Sequence, residues 1–129
     1  MAQVKVYGLR DTLAGTRAHW SRIIHAALVE TLGLPPAKRF QRFIGLDAED
    51  FLFPEDRSYA YTIIEISMFA GRSSASLKAL IKKIMADAQT ALNISANDVE
   101  ITILESPRHC WGIRGKTGDE LELAYKVDV

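Results

Sequence analysis

Shifted by 60 residues, the chain lies over itself without a gap. Trp20, Ile24, Leu28 and Leu32 fall on Leu80, Ile84, Ala88 and Leu92, and Leu34 falls on Ile94. Apolar residues four apart share one helical face, so one amphipathic helix is written twice. Each copy is flanked by strand-like segments: QVKVYGL (3–9) and RFQRFIGL (39–46) around the first, YTIIEISMF (61–69) and VEITIL (99–104) around the second. Strand–helix–strand repeated within one chain predicts a duplicated βαβ unit. Right-handed crossovers would pair the strands in parallel within each half. The expected fold class is α+β: a four-stranded sheet with both helices on one face, in a single domain over 1–129. The repeats span about 3–46 and 61–104, and a C-terminal hairpin and tail follow.

The first helix is read over 16–32, with Ile23 and Ala27 joining its apolar face. Gly33 supplies a left-handed stop and Pro35-Pro36 forbid continuation. The second runs 74–92, with Leu77, Ile81 and Met85 added to its face and Lys78, Lys82 and Lys83 on the solvated side. The helices leave the other sheet face bare. So many apolar strand residues predict that further subunits cover it. Between the halves, DAEDFLFPEDRSYA (47–60) reads as an ordered loop, because Phe51, Leu52, Phe53 and Tyr59 are poor solvent residues. The alternating tail LELAYKVDV predicts a short strand laid on a neighbouring subunit.

Sixteen basic residues balance sixteen acidic ones. No global field favours nucleic acid or an anionic membrane, so any anion selectivity is local. The single cysteine, Cys110, suits a reducing compartment. No apolar run nears the roughly 18 residues of a membrane span, and no secretory pattern is present. A cytoplasmic location is expected. His19 and His25 lie six apart, off a common helical face, and His109 adjoins Cys110. Neither spacing suits a chelate, so neither metal nor cofactor is expected.

Local anion chemistry is suggested at Gly71-Arg72-Ser73, where a strand ends and a helix begins. A helix N-terminus already presents unpaired N–H groups and about half a positive charge, so an arginine there adds little to the helix and much to an anion. Ser73 or Ser74 can cap the helix, and the Arg72 fork suits a carboxylate. A plain surface arginine beside a capped helix is the competing reading. Trp111 lies in a glycine-rich loop, where an indole needs a partner or ligand to pack on. Arg108 and His109 read as polar loop residues.

With these pieces in place the chain resembles the tautomerase superfamily, in the branch of malonate semialdehyde decarboxylase and its tautomerase relatives. The resemblance spans almost the whole chain. It rests on the duplicated unit, on LGLPPAKRFQ after the first helix, on FAGRS before the second, and on SPRHCWGIRG after the fourth strand. It implies a homotrimer and no cofactor. It also implies a reaction in which an N-terminal proline, exposed by loss of the initiator methionine, moves a proton beside a carbonyl while arginines hold the substrate carboxylate. Carried over by position, Ala2 stands where that proline belongs, Arg72 matches the junction arginine, and Trp111 matches an aromatic wall. Apart from the resemblance, Arg39 and Arg114 are weaker candidates for a second anion contact.

The departures from that pattern bear on the reaction. Loss of Met1 would give Ala2 a primary α-amine, with an ordinary pKa of about 7.7–8.0. Such an amine can act as a base or form an imine with a keto acid, which opens a side decarboxylation. With Met1 retained, Ala2 offers only an amide. Ala70 stands in place of a second arginine, and Lys38 in place of an acid, which argues against decarboxylation or dehalogenation of the branch's own type. Two readings follow. One is a tautomerase-like isomerase acting on a small 2-keto or enol carboxylic acid. The other is a catalytically inactive trimer that binds small carboxylates or a partner.

Overall fold

The computed structural model describes residues 1–129. Strand β1 (Ala2–Leu9) runs directly into helix α1 (Arg10–Leu32), and β2 (Gln41–Leu46) closes the first unit. Strand β3 (Thr62–Phe69), helix α2 (Ser74–Leu92) and β4 (Val99–Ser106) form the second. The sheet order is β2-β1-β3-β4. The pairs β1–β2 and β3–β4 are parallel, and β1–β3 is antiparallel. This is the duplicated βαβ sheet with two helices that the repeat predicts.

The α1 helix starts six residues before the expected 16, because Leu9 passes into it with no loop and no side-chain cap. Gly33, at φ 67°, stops it by the left-handed route, its N–H bonded to Val29 O. The α2 helix keeps the expected bounds. Ser73, not Ser74, is its cap, accepting the Ser76 N–H.

The core lies between helices and sheet. Val4, Val6, Ile64, Ile66 and Met68 from the strands meet Trp20, Ile24, Leu32, Leu80 and Ile84 from the helices, all fully buried. Truncating a residue such as Trp20 to alanine costs about 3–5 kcal/mol. The opposite sheet face is open and more mixed than expected. Tyr7, Ile44, Ile63 and Leu104 alternate there with Lys5, Arg42, Glu65 and Glu100, all at least partly exposed.

Three further expectations are corrected. Lys83 is not merely solvated, since its ammonium pairs with Glu30 of α1 at 3.1 Å and Asp87 at 3.0 Å, joining the two helices. In the 47–61 loop, Phe51, Phe53 and Tyr61 stack together, yet Leu52 and Tyr59 are 87% and 76% exposed. The tail forms no strand. It folds back over the second strand–helix junction of its own chain, where Val129 O accepts the Ser73 and Ser76 hydroxyls at 2.9 and 2.6 Å. Val127 packs on Gly71. No helix is long and apolar enough to cross a membrane.

Candidate active site

The antiparallel β1–β3 register sets Ala2 opposite Met68. The start of the chain therefore lies beside the end of β3 and the junction that follows it. Phe69 is the hub there. Its N–H reaches Met1 O at 3.4 Å, its carbonyl accepts Arg72 Nη1 at 2.8 Å, and Trp111 meets its ring edge-on at 5.2 Å.

Gly71, at φ 131°, turns the chain so that Arg72 points inward rather than along the helix start. Arg72 is 6% exposed. Its Nε and Nη2 are buried and have no partner in the protein. Burial weakens its hold on its proton, partly offset by Glu105 nearby. This corrects one detail of the sequence reading. The α2 N-terminus is closed by the Ser73 cap and its Val129 contact, so the free Arg72 nitrogens lie inside the junction rather than at the helix start.

The N-terminal amine lies close by. Its pKa falls from 8.0 to about 5, first through burial and then through the positive charges of Arg72 and Arg108. At neutral pH it is therefore a free base. A cavity of about 220 Å³ opens beside it, lined by Met1 and Ala2, by Leu34, Pro35, Lys38 and Phe40 after α1, by Phe69, and by Arg114 and residues 121–125. Most of this lining is apolar. His25 braces the post-helix wall, its ring Nε2 donating to Pro36 O at 2.7 Å.

Of the residues singled out from sequence, Ala2 and Arg114 share the cavity, and Arg72 lies behind it at the amine. Arg114 projects from the tight β5–β6 hairpin (Gly112–Ile113 and Lys116–Thr117), with φ 50° followed by Gly115 at 79°. Both central residues thus take the left-handed conformation of a type I′ turn. Trp111 packs beneath the junction with its indole N–H buried and unpartnered. Arg39 lies elsewhere, in a separate depression with Gln3 and Arg42, and donates to Ser21.

Sequence reasoning passed over Phe69, read only as the end of a strand, and Arg108, read as a polar loop residue. Arg108 sets its guanidinium 5.6 Å from the Phe69 ring centre and donates to Gly118 O and Leu121 O. Gly118 was the available signal, because a Cβ there would lie 2.4 Å from Arg108 O and 3.2 Å from the Phe69 ring.

A family model described as a tautomerase enzyme matches residues 38–114, more than half of the chain. Among solved structures, the chain is similar to FG41 malonate semialdehyde decarboxylase inhibited by 3-bromopropiolate. That likeness has 25% identity, covers 85% of this chain and 87% of that one, and gives a TM-score of 0.76. It is similar to the R7 fused 4-OT wild-type asymmetric trimer at 21% identity, 91% and 96% coverage and TM-score 0.79. It is similar to N1, a member of the cis-3-chloroacrylic acid dehalogenase family, at 18% identity, 89% and 82% coverage and TM-score 0.77.

Proposed function

The chain belongs to the tautomerase family, and from that premise we propose that it interconverts the keto and enol forms of a small 2-keto carboxylic acid. The carrying observation is the buried Arg72 guanidinium, with two nitrogens unpartnered, close to the start of the chain, where burial and nearby positive charge lower the Met1 amine to about 5. A buried, half-satisfied cation is costly unless an anion meets it. A substrate carboxylate supplies that anion. The amine at the start of the chain takes the proton from the carbon next to the carbonyl, leaving an enolate, and the ammonium so formed gives that proton to the enolate oxygen to complete the enol; the reverse sequence restores the keto form. General-base transfer requires the two atoms within hydrogen-bond reach.

In this reading the working amine is that of Ala2, freed by removal of Met1, and Met1 occupies part of the cavity until then. Trp111 forms an aromatic wall, and Arg114 is a second anion contact at the mouth. Arg39 belongs to the separate depression and is left out of this cavity. The working form is a homotrimer with the open sheet face turned inward, a reading supported by that face's uncovered apolar residues and by likeness to a trimeric relative. Sedimentation tests it, the expected mass being three times the 14.4 kDa of one chain.

A second reading has an observation of its own. The residue that starts β1 is Ala2 rather than a proline, which suits a protein that binds small carboxylates without turning them over. Intact mass separates the two, followed by a phenylpyruvate keto–enol assay. Processed protein with turnover that Arg72→Ala abolishes supports the first reading. Equal rates in wild type and variant overturn the site assignment.

A further inference from the structure

We propose that Arg108 is a positioning residue of this site, whose guanidinium straps the segment forming one wall of the cavity. The catalytic meaning of this role rests on the amine reading above, while its geometry stands independently. Residues 122–126 make no backbone hydrogen bonds, yet Leu121, Leu123 and Tyr125 line the cavity. Such a segment holds its shape only if its ends are tied. The far end is tied at Val129 by Ser73 and Ser76. At the near end Thr117 and Glu120 close a local capping box, and Arg108 ties that turn and Leu121 back to the loop after β4, with Nε on Gly118 O at 3.0 Å and Nη2 on Leu121 O at 2.8 Å.

The planar fork is what permits this. Two donors at a fixed angle reach two carbonyls three residues apart, while the cation rests on the Phe69 ring. A lysine would bring the charge without the fork. The same charge also faces the N-terminal amine and helps keep it neutral. The other charged groups around that amine are Arg72 in the junction, with Glu105 near it, and Lys38, Arg114 and Glu122 on the cavity lining. Arg108 therefore carries two separable effects, a strap that needs the fork and a field that needs only the charge.

Arg108→Lys and Arg108→Gln in the full chain separate them. Wall mobility is read from tryptic cleavage at exposed Lys126, followed by mass spectrometry. The amine is titrated by pH-dependent reductive methylation with ¹³C-formaldehyde. Cleavage at Lys126 is expected to rise about tenfold in both variants, the loss of one or two hydrogen bonds. The amine midpoint is expected to rise in Arg108→Gln only, since that variant alone loses the charge. With phenylpyruvate as probe, KM rises in both variants. Unchanged cleavage in both overturns the strap, and an equal midpoint shift in both overturns the charge assignment. A wild type that does not turn over phenylpyruvate overturns the isomerase reading alone, because cleavage and titration still decide the role of Arg108.

Discussion

The two strand–helix junctions occupy equivalent places in the repeat and have little else in common. At the first, Leu9 passes straight into α1 and Arg10 turns outward to an exposed pair with Asp47 at 3.1 Å. At the second, Ala70, Gly71, Arg72 and Ser73 separate strand from helix, and the arginine is buried with most of its fork unpartnered. The surroundings explain the difference. Beside the second junction lies the start of the chain, through the Ala2–Met68 pairing. Beside the first, through Gly8–Thr62, lies the continuous 47–61 loop, where Thr12 simply bonds Tyr59 O at 2.8 Å. Only one junction of the pair can meet a free amine. Duplication thus supplied a symmetric scaffold, and the single chain terminus made one of its two junctions a candidate for chemistry.

The sharpest way to break this comparison is to remove each arginine. Arg72→Ala should lower kcat/KM for phenylpyruvate at least 100-fold, a loss on the scale of a transition-state charge contact. Arg10→Ala should stay within about twofold, as exposed pairs contribute little. Matching losses would erase the distinction between the junctions.

The amine sharpens it next. Unfolded, it takes a proton below about pH 8, whereas folded it does so only near pH 5. The amine therefore makes stability rise between pH 5 and 8, with no further effect above 8. N-terminal acetylation should remove that part of the slope in chemical-denaturation curves and abolish turnover. The acid limb of kcat/KM should lie below the ordinary α-amine value of about 7.7–8.0, because burial near Arg72 favours the free base.

Glycines give a smaller contrast. Gly118→Ala should destabilise by about 1–3 kcal/mol in urea melts, because the added Cβ meets backbone at 2.4 Å. Gly15→Ala, inside α1 with open space at its Cβ, should stabilise by about 0.5–1 kcal/mol. Ser73→Ala should destabilise by about 1 kcal/mol for a lost cap. The α1 start, which has no side-chain cap bond at Leu9, has nothing comparable to lose.

Much of the scaffold was legible because it is periodic. The apolar faces of both helices and the four strand segments repeat at local spacings that fix which side is buried. The start of α2 was readable from Ser73 and its extent from the apolar face, whereas the α1 start was missed because Leu9 gives no cap signal. The tail misled, since alternation in LELAYKVDV looks like a strand although the segment packs irregularly on its own junction. Arg72 was singled out from its neighbours Gly71 and Ser73, and Arg108 was not, because its two carbonyl partners lie 10 and 13 residues away.

By itself, then, the sequence determined the duplicated βαβ unit, the buried faces and the conspicuous arginine at the second junction. These depend on spacings of two to four residues and on the fit between the halves. The tertiary structure alone decided that Arg72 turns inward, that the Met1 amine is half-buried near its charge, and that Arg108 bonds the carbonyls of Gly118 and Leu121. Each of those depends on the antiparallel β1–β3 register bringing residues 1, 69, 72, 108 and 121 into one place, where burial and charge act across distance in space rather than along the chain.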